Sequence, residues 1–456
     1  MNKYVSMRQQ THVIRKLIQR TQHILVHEGW KGVSQKVGQK VFPSKVHRRT
    51  RTKTYASQAL NLAQKHDFSH DDLQKNHLVT SYTGNVDVKR VHWFLPPFEH
   101  AHYGGIYTIL RFAAGFASTY AVENTFVIIT DSTETTATHY VEQIHQAFPA
   151  LSDTQAIITN THGPFNHIPS ADVCIASAWT TAYTTLKFNN TQRKCYFIQD
   201  FEPLFFPAGS MSAQAEATYR FGFYGLTNTI TLQQVYEQTY AGKATAFHPC
   251  VDTHLFHPHT DKLMPIHKTL PYRVFFYARP DYPRNGFELG AVAMRQLKHH
   301  FGNRIQIISA GQHWQPRDFG LEGIVENRGL LSYEETAQLY RTCAVGLVMM
   351  FTRHPSYLPF ELMASGCLVV SNMNHANTWF LKNEENCLLT PPSATCIAET
   401  ITHALEDQAL RQRITTAAHH LINSQYTNWD EQIARIYNYI CNPKDTDVHA
   451  YEKHEE

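Results

Sequence analysis

From residue 91 onward, short apolar runs alternate with longer stretches of helical periodicity. The runs are five or six residues long and rich in Val, Ile and Phe, which is typical of strands buried on both faces. Because helical stretches separate them, the pattern predicts parallel strands joined by crossover helices. The strands predicted in this first series are 91–96, 126–130, 155–159, 172–177 and 195–199.

The same alternation restarts near residue 273, after a Pro- and His-rich segment at 247–262. Two α/β units are therefore expected, as Rossmann-like domains that face each other across a cleft. Ligands of such sheets bind at the carboxyl ends of the strands, so the residues after each strand are the candidates for chemistry. The second series predicts strands at 273–279, 304–310, 344–350 and 367–372, and helices near 287–299, 333–343, 359–365, 395–406 and 410–425.

The segment before the first strand has a different character. Residues 1–53 contain 13 Lys and Arg and one acid, Glu28, whereas the remainder contains 28 basic and 37 acidic residues. Apolar residues recur near helical spacing from Ile14 to Leu25 with basic residues between them, which predicts a basic amphipathic helix. Such a helix suits an anionic membrane surface or docks on the protein body. Nucleic acid is not expected, because no aromatic interleaving accompanies the charge.

These patterns divide the chain into four parts. Residues 54–88 are polar, have little pattern and are expected to serve as a connection. The parts are a basic helical extension with this connection (1–89), a first Rossmann-like domain (90–250), a second Rossmann-like domain (251–426), and a helix packing back toward the first domain followed by a disordered tail (427–456).

Composition narrows the class of protein. With 43% hydrophobic residues the chain is globular, and it lacks both an apolar run of about 18 residues and a signal peptide. The eight Cys are scattered without a CxxC pair, which indicates reduced thiols in a cytoplasmic protein. The 29 His form no HExxH or paired spacing, so no metal site is predicted.

Two loops of the first half carry candidate residues. Gly104 and Gly105 follow the first strand and open a helix, where backbone N–H groups favour an anion or a sugar oxygen; an ordinary turn is the alternative. Asp200 and Glu202 follow the fifth strand. Only one of these two acids is expected to face a substrate, because i and i+2 share a face only while a strand continues.

Two further pairs lie in the second half. Arg279 and Arg284 stand at a helix entry and suit a diphosphate, which they would neutralise and stabilise as a leaving group; surface ion pairing is the alternative. Tyr357 and Glu361 share a helix face if a helix begins near Leu358. At that helix start the Glu361 carboxylate is expected to remain ionised and to accept hydrogen bonds from sugar hydroxyls.

The order of these motifs resembles the GT-B glycosyltransferases of family 4, over about residues 90–440. Within that family the chain is similar to the bacterial WsaF-type rhamnosyltransferases, which use dTDP-L-rhamnose. The stretches that carry the resemblance are "HPCVDTHLFHP", "GLLSYEETAQLYRTCAVGLVMM", "PFELMASGCLVVSN" and, for the WsaF type, "YFIQDFEPLFFPAGS".

The resemblance implies that residues 90–250 form the acceptor-side domain and that residues 251–426 form the domain that binds the nucleotide sugar, which is the donor. Arg279 and Arg284 would hold the diphosphate, although the general family has Lys in place of Arg284. Glu361 would hold the ribose part of the nucleotide, and Tyr357 would line the donor pocket.

The resemblance also implies that backbone near Gly329 and Leu330 meets the nucleotide base. Gly105 would let the diphosphate or the transferred sugar approach the backbone. Asp200 would face the reacting sugar or the acceptor hydroxyl as catalytic base or orienting residue. One position departs from the family: Arg353 stands where an acid commonly contacts the transferred hexose, which is compatible with a 6-deoxy sugar.

The function expected from this resemblance is transfer of L-rhamnose from dTDP-L-rhamnose to a growing surface glycan or a lipid-linked acceptor. The resemblance implies a retaining outcome and no metal or cofactor besides the donor. A cytoplasmic location at the inner face of the membrane would suit the basic arm. Alternatives are a UDP- or GDP-sugar donor, a GT-B sugar-nucleotide epimerase, and a non-catalytic glycan-binding protein, which the four charged candidates disfavour.

Overall fold

The computed structural model describes residues 45–102, 104–258 and 270–444. The chain forms two compact units, Met1–Lys65 and His66–Glu456. In the first unit the described element is a helix, α1 (Lys45–Lys65). The amphipathic helix predicted between Ile14 and Leu25 and the tail from residue 445 lie outside the described residues, as does most of the basic arm.

The second unit begins with a helix, α2 (His70–Thr80), inside the segment that was predicted as a patternless connection. That prediction is wrong, as α1 also shows. Ser69 and Asp72 form a capping box at the start of α2, where the Asp72 carboxylate accepts from the Ser69 N–H at 2.8 Å. The amide of Asn76 donates to the Phe221 carbonyl at 2.7 Å. Polar anchoring of this kind leaves no apolar stripe in the sequence.

The first sheet contains β1 (Arg90–Leu95), β2 (Glu123–Ile129), β3 (Gln155–Thr159), β4 (Ala171–Ala176), β5 (Thr191–Ile198), β6 (Tyr224–Asn228) and β7 (Lys243–Phe247). Its helices are α3 (Gly104–Tyr120), α4 (Ala137–Ala147), α5 (Trp179–Lys187), α6 (Ser210–Ala217) and α7 (Ile230–Tyr240). The strands are parallel, in the order β3-β2-β1-β4-β5-β6-β7. The order reverses between β1 and β4, which is the switch point where such sheets bind ligands.

The second sheet contains β8 (Tyr272–Phe276), β9 (Ile305–Ser309), β10 (Val325–Asn327), β11 (Val345–Leu347), β12 (Leu368–Asn372) and β13 (Leu388–Thr390). Its helices are α8 (Phe287–Phe301), α9 (Tyr333–Arg341), α10 (Leu358–Ala364), α11 (Ala394–Glu406) and α12 (Gln408–Gln425), and a final helix, α13 (Trp429–Cys441), follows. These strands are also parallel, in the order β10-β9-β8-β11-β12-β13, with the reversal between β8 and β11.

Alternate residues of β1 enter separate apolar clusters, so the first sheet is covered on both faces. Trp93 and Leu95 pack in one cluster, and Phe94 packs in the other. The helix α13 joins the first of these clusters. The buried side chain of Arg193 on β5 donates to the carbonyls of Ile440 and Cys441 and so holds the end of α13 against this sheet.

The sequence pattern predicted nine of these strands and missed β6, β7, β10 and β13. The strand β6 reads Tyr-Gly-Leu-Thr-Asn, and its buried Thr227 hydroxyl is satisfied by the Thr229 and Thr245 carbonyls. The strands β10 and β13 are three residues long and lie at the two edges of their sheet. Polar or very short strands carry too little apolar pattern to be recognised.

Two properties bear on cellular context. Of the eight Cys, all of which the structure describes, six are buried and none is in a disulfide. Among the helices of the described residues, none combines the length and the apolar character needed to span a membrane.

Candidate active site

A cleft of about 560 Å³ collects the loops that follow the strands of both sheets. Seven of the eight predicted site residues line it: Gly105, Asp200, Arg279, Arg284, Leu330, Tyr357 and Glu361. Gly329 does not line it, although its carbonyl accepts a hydrogen bond from the N–H of Gly311, which does. The two switch points thus bring together residues that are up to 256 positions apart in the chain.

Asp200 lies directly after β5 and is fixed at both carboxylate oxygens. Its Oδ1 accepts from the Phe201 N–H at 2.7 Å, and its Oδ2 accepts from the Thr352 hydroxyl at 3.0 Å. Burial raises the pKa of Asp200 to about 6, while the Thr352 bond and the Arg284 charge act in the opposite direction. A carboxylate with such a pKa is ionised near neutral pH and is basic enough to accept a proton.

Glu202 also lines the cleft, at the start of the short 3-10 turn that follows β5, whereas Asp200 lies between the strand and this turn. Glu202 Oε2 accepts from the Trp179 N–H at 2.7 Å and from the Tyr196 hydroxyl. Burial raises its pKa to about 7. Because it holds the first N–H of α5, Glu202 serves as an internal cap.

Arg279 and Arg284 follow β8 and lie on aromatic rings. The Arg279 guanidinium is 3.6 Å from the centre of the Tyr282 ring, and that of Arg284 is 4.2 Å from the centre of the Phe205 ring. No carboxylate of the described residues lies within ion-pair distance of either, so the alternative of surface ion pairing does not hold. One N–H of Arg279 donates to the Tyr277 hydroxyl at 3.0 Å. A guanidinium stacked on a ring still has further N–H groups that can bind an anion such as a diphosphate.

The Gly104-Gly105 turn opens α3 at the cleft wall. At Gly105 a Cβ would lie 2.7 Å from the side-chain nitrogen of Gln199, which donates to the Gly105 carbonyl at 3.0 Å. The absence of a side chain at Gly105 therefore accommodates Gln199. Gly104, at φ +53°, has open space beside it, and at this turn it is the residue that leaves room for a ligand.

Glu361 lies in the first turn of α10, and its carboxylate is buried. Its Oε1 accepts from the Tyr333 hydroxyl at 3.0 Å. Burial raises the pKa of Glu361 to about 7, which is opposite in direction to the stabilisation of the anion expected from the helix start. Nearby, the Tyr357 hydroxyl accepts from Asn228 at 3.2 Å and so joins the two halves of the cleft.

Tyr333, Arg111 and His354 are among the cleft residues that were not identified from the sequence. Tyr333 follows the capping residue of α9, and the Ser332–Glu335 capping box was a signal for its placement. Arg111 on α3 lies 4.9 Å from the centre of the Trp429 ring. His354 is buried, its Nδ1 accepts from the Ser356 N–H at 3.0 Å, and burial lowers its pKa to about 3, so it is neutral. Nothing in the local sequence marks Arg111 or His354.

Arg353, the residue that departs from the family pattern, does not line the cleft. Its side chain is exposed, and its guanidinium lies 5.3 Å from the centre of the Phe201 ring. No group of three or more His, Cys, Asp or Glu in the described part of the chain is arranged to hold a metal ion. The cleft therefore combines two cations that lie outside ion-pair distance of any carboxylate of the described residues, the carboxylate of Asp200, and the carboxylate of Glu361, which accepts from Tyr333.

Two family models match this chain. The N-terminal domain model of WsaF matches residues 90–235, and the C-terminal domain model of WsaF matches residues 272–402. The chain is also 39% identical over 355 residues to the O-antigen biosynthesis protein RfbC of Myxococcus xanthus. That match covers 78% of this chain and 27% of RfbC, so the chain spans about a quarter of the length of this relative.

Solved structures share the fold at low identity. HepE from Anabaena, in a complex with UDP and glucose, matches with a TM-score of 0.59 at 15% identity and covers 77% of this chain and 99% of HepE. Sucrose-phosphate synthase from Thermosynechococcus elongatus matches with a TM-score of 0.58 at 13% identity, over 77% and 98% of the two chains. The glycosyltransferase WaaG, involved in lipopolysaccharide biosynthesis, matches with a TM-score of 0.56 at 12% identity, over 76% and 99%. These likenesses confirm the predicted GT-B fold.

Proposed function

This chain belongs to the WsaF family, and from that premise we propose that it is a glycosyltransferase that moves a sugar from a nucleoside diphosphate to a glycan acceptor. The observation that carries the proposal is that Arg279 and Arg284, neither within ion-pair distance of a carboxylate of the described residues, share one cleft with Asp200. A non-catalytic glycan-binding protein has no need of such a pair.

In the proposed reaction, the bond between the anomeric carbon and the diphosphate oxygen breaks, and Arg279 and Arg284 stabilise the charge that develops on the diphosphate. The acceptor hydroxyl forms the new bond to the anomeric carbon. Its proton passes to Asp200 or to an oxygen of the departing diphosphate. Glu361 holds the 3′-hydroxyl on the deoxyribose part of the donor, and attack from the face that the diphosphate leaves gives retention.

For the donor we propose dTDP-L-rhamnose, on the resemblance to WsaF-type enzymes and on Arg353 in place of the expected acid. For the acceptor we propose a growing surface glycan on a lipid carrier, in line with the name of the relative RfbC. The basic arm, residues 1–53, would bring the enzyme to the anionic inner face of the membrane. Co-sedimentation with anionic liposomes that is unchanged by deleting this arm would contradict the last point.

A thermal-shift comparison of dTDP-L-rhamnose, UDP-glucose and GDP-mannose tests the donor. A ligand at about 100 times its dissociation constant raises the free energy of unfolding by roughly 2.7 kcal/mol. We expect the largest shift with dTDP-L-rhamnose, and a larger shift with UDP-glucose or GDP-mannose would overturn the donor assignment. Mass spectrometry of acceptor incubated with the donor tests the transfer, and nucleotide release without a heavier acceptor would contradict it.

A further inference from the structure

We propose that Thr352 is a positioning residue that completes Asp200 from the opposite half of the cleft, so that the base is assembled only when both halves are in contact. This inference rests on the proposed function, in which Asp200 receives the proton of the acceptor. Asp200 belongs to the loop after β5 in the first half, whereas Thr352 belongs to the loop between β11 and α10 in the second half.

The two carboxylate oxygens of Asp200 are held in different ways. Oδ1 accepts from the N–H of the next residue, Phe201, which is a local bond that the first half makes alone. Oδ2 accepts from the Thr352 hydroxyl at 3.0 Å, a bond between residues 152 positions apart. Only the second bond depends on how the two halves are placed, and without it the carboxylate is fixed at one oxygen.

Thr352 is itself held by the second half. Its side chain is buried, with 1% exposed, and its carbonyl accepts from the Asn374 side-chain amide at 2.6 Å. The same amide nitrogen donates to the Met350 carbonyl at 3.1 Å, and the Asn374 oxygen accepts from the Ala376 N–H at 3.0 Å. The hydrogen bonds of Asn374 therefore hold the backbone of this loop, and burial confines the Thr352 side chain whose hydroxyl donates to Asp200.

Two cation–ring contacts flank the bond between Thr352 and Asp200. The guanidinium of Arg353 lies on Phe201, and that of Arg284 lies on Phe205. Both contacts join residues of the second half to the loop after β5. Arg353 does not line the cleft, but its contact with Phe201 helps to hold the loop of Thr352 against the loop of Asp200.

The chemical effect of the bond has a definite sign. A hydroxyl that donates to a carboxylate stabilises the anion, so Thr352 favours the form of Asp200 that can accept a proton. The other groups that face Asp200 are Arg284, whose charge acts in the same direction, Glu202, and Tyr219, whose hydroxyl donates to the Asp200 carbonyl at 3.2 Å. These groups remain when Thr352 is replaced, so a change can be assigned to the lost hydroxyl.

The test compares Thr352→Val, which keeps the shape and removes the hydroxyl, with Thr352→Ser, which keeps the hydroxyl. We expect Thr352→Val to lower kcat by about tenfold with little change in the KM for the nucleotide sugar. We also expect the acidic limb of its pH–kcat profile to move to higher pH, and Thr352→Ser to restore both. If the Thr352→Val variant does not fold, Thr352→Ala is compared with Thr352→Ser in the same way.

An unchanged pH–kcat profile in Thr352→Val would overturn the inference. An effect on KM alone would also overturn it, as would a Thr352→Ser variant with the same loss of kcat as Thr352→Val. Asp200→Asn separates this failure from failure of the proposed function. Full activity in Asp200→Asn removes Asp200 as the base. Loss of activity in Asp200→Asn together with an unshifted profile in Thr352→Val removes only the role of Thr352.

Discussion

The two walls of the cleft are built from similar parallel sheets but carry opposite chemistry. The loop after β5 in the first half presents the acids Asp200 and Glu202, and the loop after β8 in the second half presents the cations Arg279 and Arg284. The charges on the two walls are stabilised in different ways. The acids accept hydrogen bonds, whereas the cations rest on aromatic rings with no carboxylate of the described residues within ion-pair distance.

This difference between hydrogen-bonded acids and ring-stacked cations indicates which groups are available to bind a substrate. Glu202 caps α5 and accepts from the Tyr196 hydroxyl, so its hydrogen bonds serve the structure of the first half itself. Neither guanidinium has a carboxylate of the described residues within ion-pair distance, and a cation in that position attracts an anion. We therefore expect the cationic wall to bind the diphosphate, and on the acidic wall Asp200 is the acid tied to the opposite half.

Removing the cationic wall should have the largest effect. The double variant Arg279→Gln, Arg284→Gln is expected to lower kcat/KM by about 10³-fold or more, because both guanidiniums stabilise the leaving diphosphate. Steady-state kinetics with the nucleotide sugar measures it. The matched control is Arg317→Gln, an exposed arginine beside Asp318, which should retain parental activity. A decrease of less than tenfold in the double variant would place the diphosphate elsewhere.

The next largest effects should distinguish the role of Asp200 from that of Glu202. Asp200→Asn is expected to lower kcat by about 10²–10³-fold with the melting temperature nearly unchanged, because general-base catalysis contributes on this scale. Glu202→Leu is expected to lower the melting temperature, because it removes the acceptor of the Trp179 N–H and the Tyr196 hydroxyl. Kinetics and thermal unfolding of both variants measure this. The opposite pattern would exchange their roles.

The smallest effect concerns Glu361. Its pKa is raised by burial to about 7, and the ionised form is the stronger acceptor for the 3′-hydroxyl of the nucleotide, so affinity for the nucleotide sugar should rise with pH. Between pH 6 and pH 8 the expected gain is up to about tenfold. Calorimetric titration with a nucleotide sugar avoids the ionisation of a free terminal phosphate. Glu361→Gln should bind more weakly and lose the pH dependence, and a variant that retains it would assign the dependence to another group.

Much of the fold follows from the sequence alone. Apolar runs such as 172–177 and 344–350 predicted buried parallel strands because a strand covered on both faces excludes polar residues. The order of motifs predicted two Rossmann-like halves, and the matched fold confirms it. Strands with polar or few residues, such as β6 and β10, were missed because hydrogen bonds and edge position stabilise them in place of an apolar pattern.

The candidate site was predictable where a residue lies in the loop that follows a strand. Asp200, Arg279 and Arg284 were placed at the cleft by that rule, since carboxyl ends of parallel strands meet at one edge. The sequence could not show that Glu202 also lines the cleft or that the missing side chain of Gly105 leaves space for Gln199. It also could not show that Glu361 accepts a hydrogen bond from Tyr333. Each of these depends on a partner distant in the chain.

The sequence by itself determined the two α/β halves, the loops that carry charge and the family to which the chain belongs, because these depend on local pattern and motif order. Only the tertiary structure decided the ionisation of the acids and the pairing of Thr352 with Asp200. Burial and hydrogen bonding to groups from another part of the chain set a pKa, and neither exists until the two halves of the cleft are folded against each other.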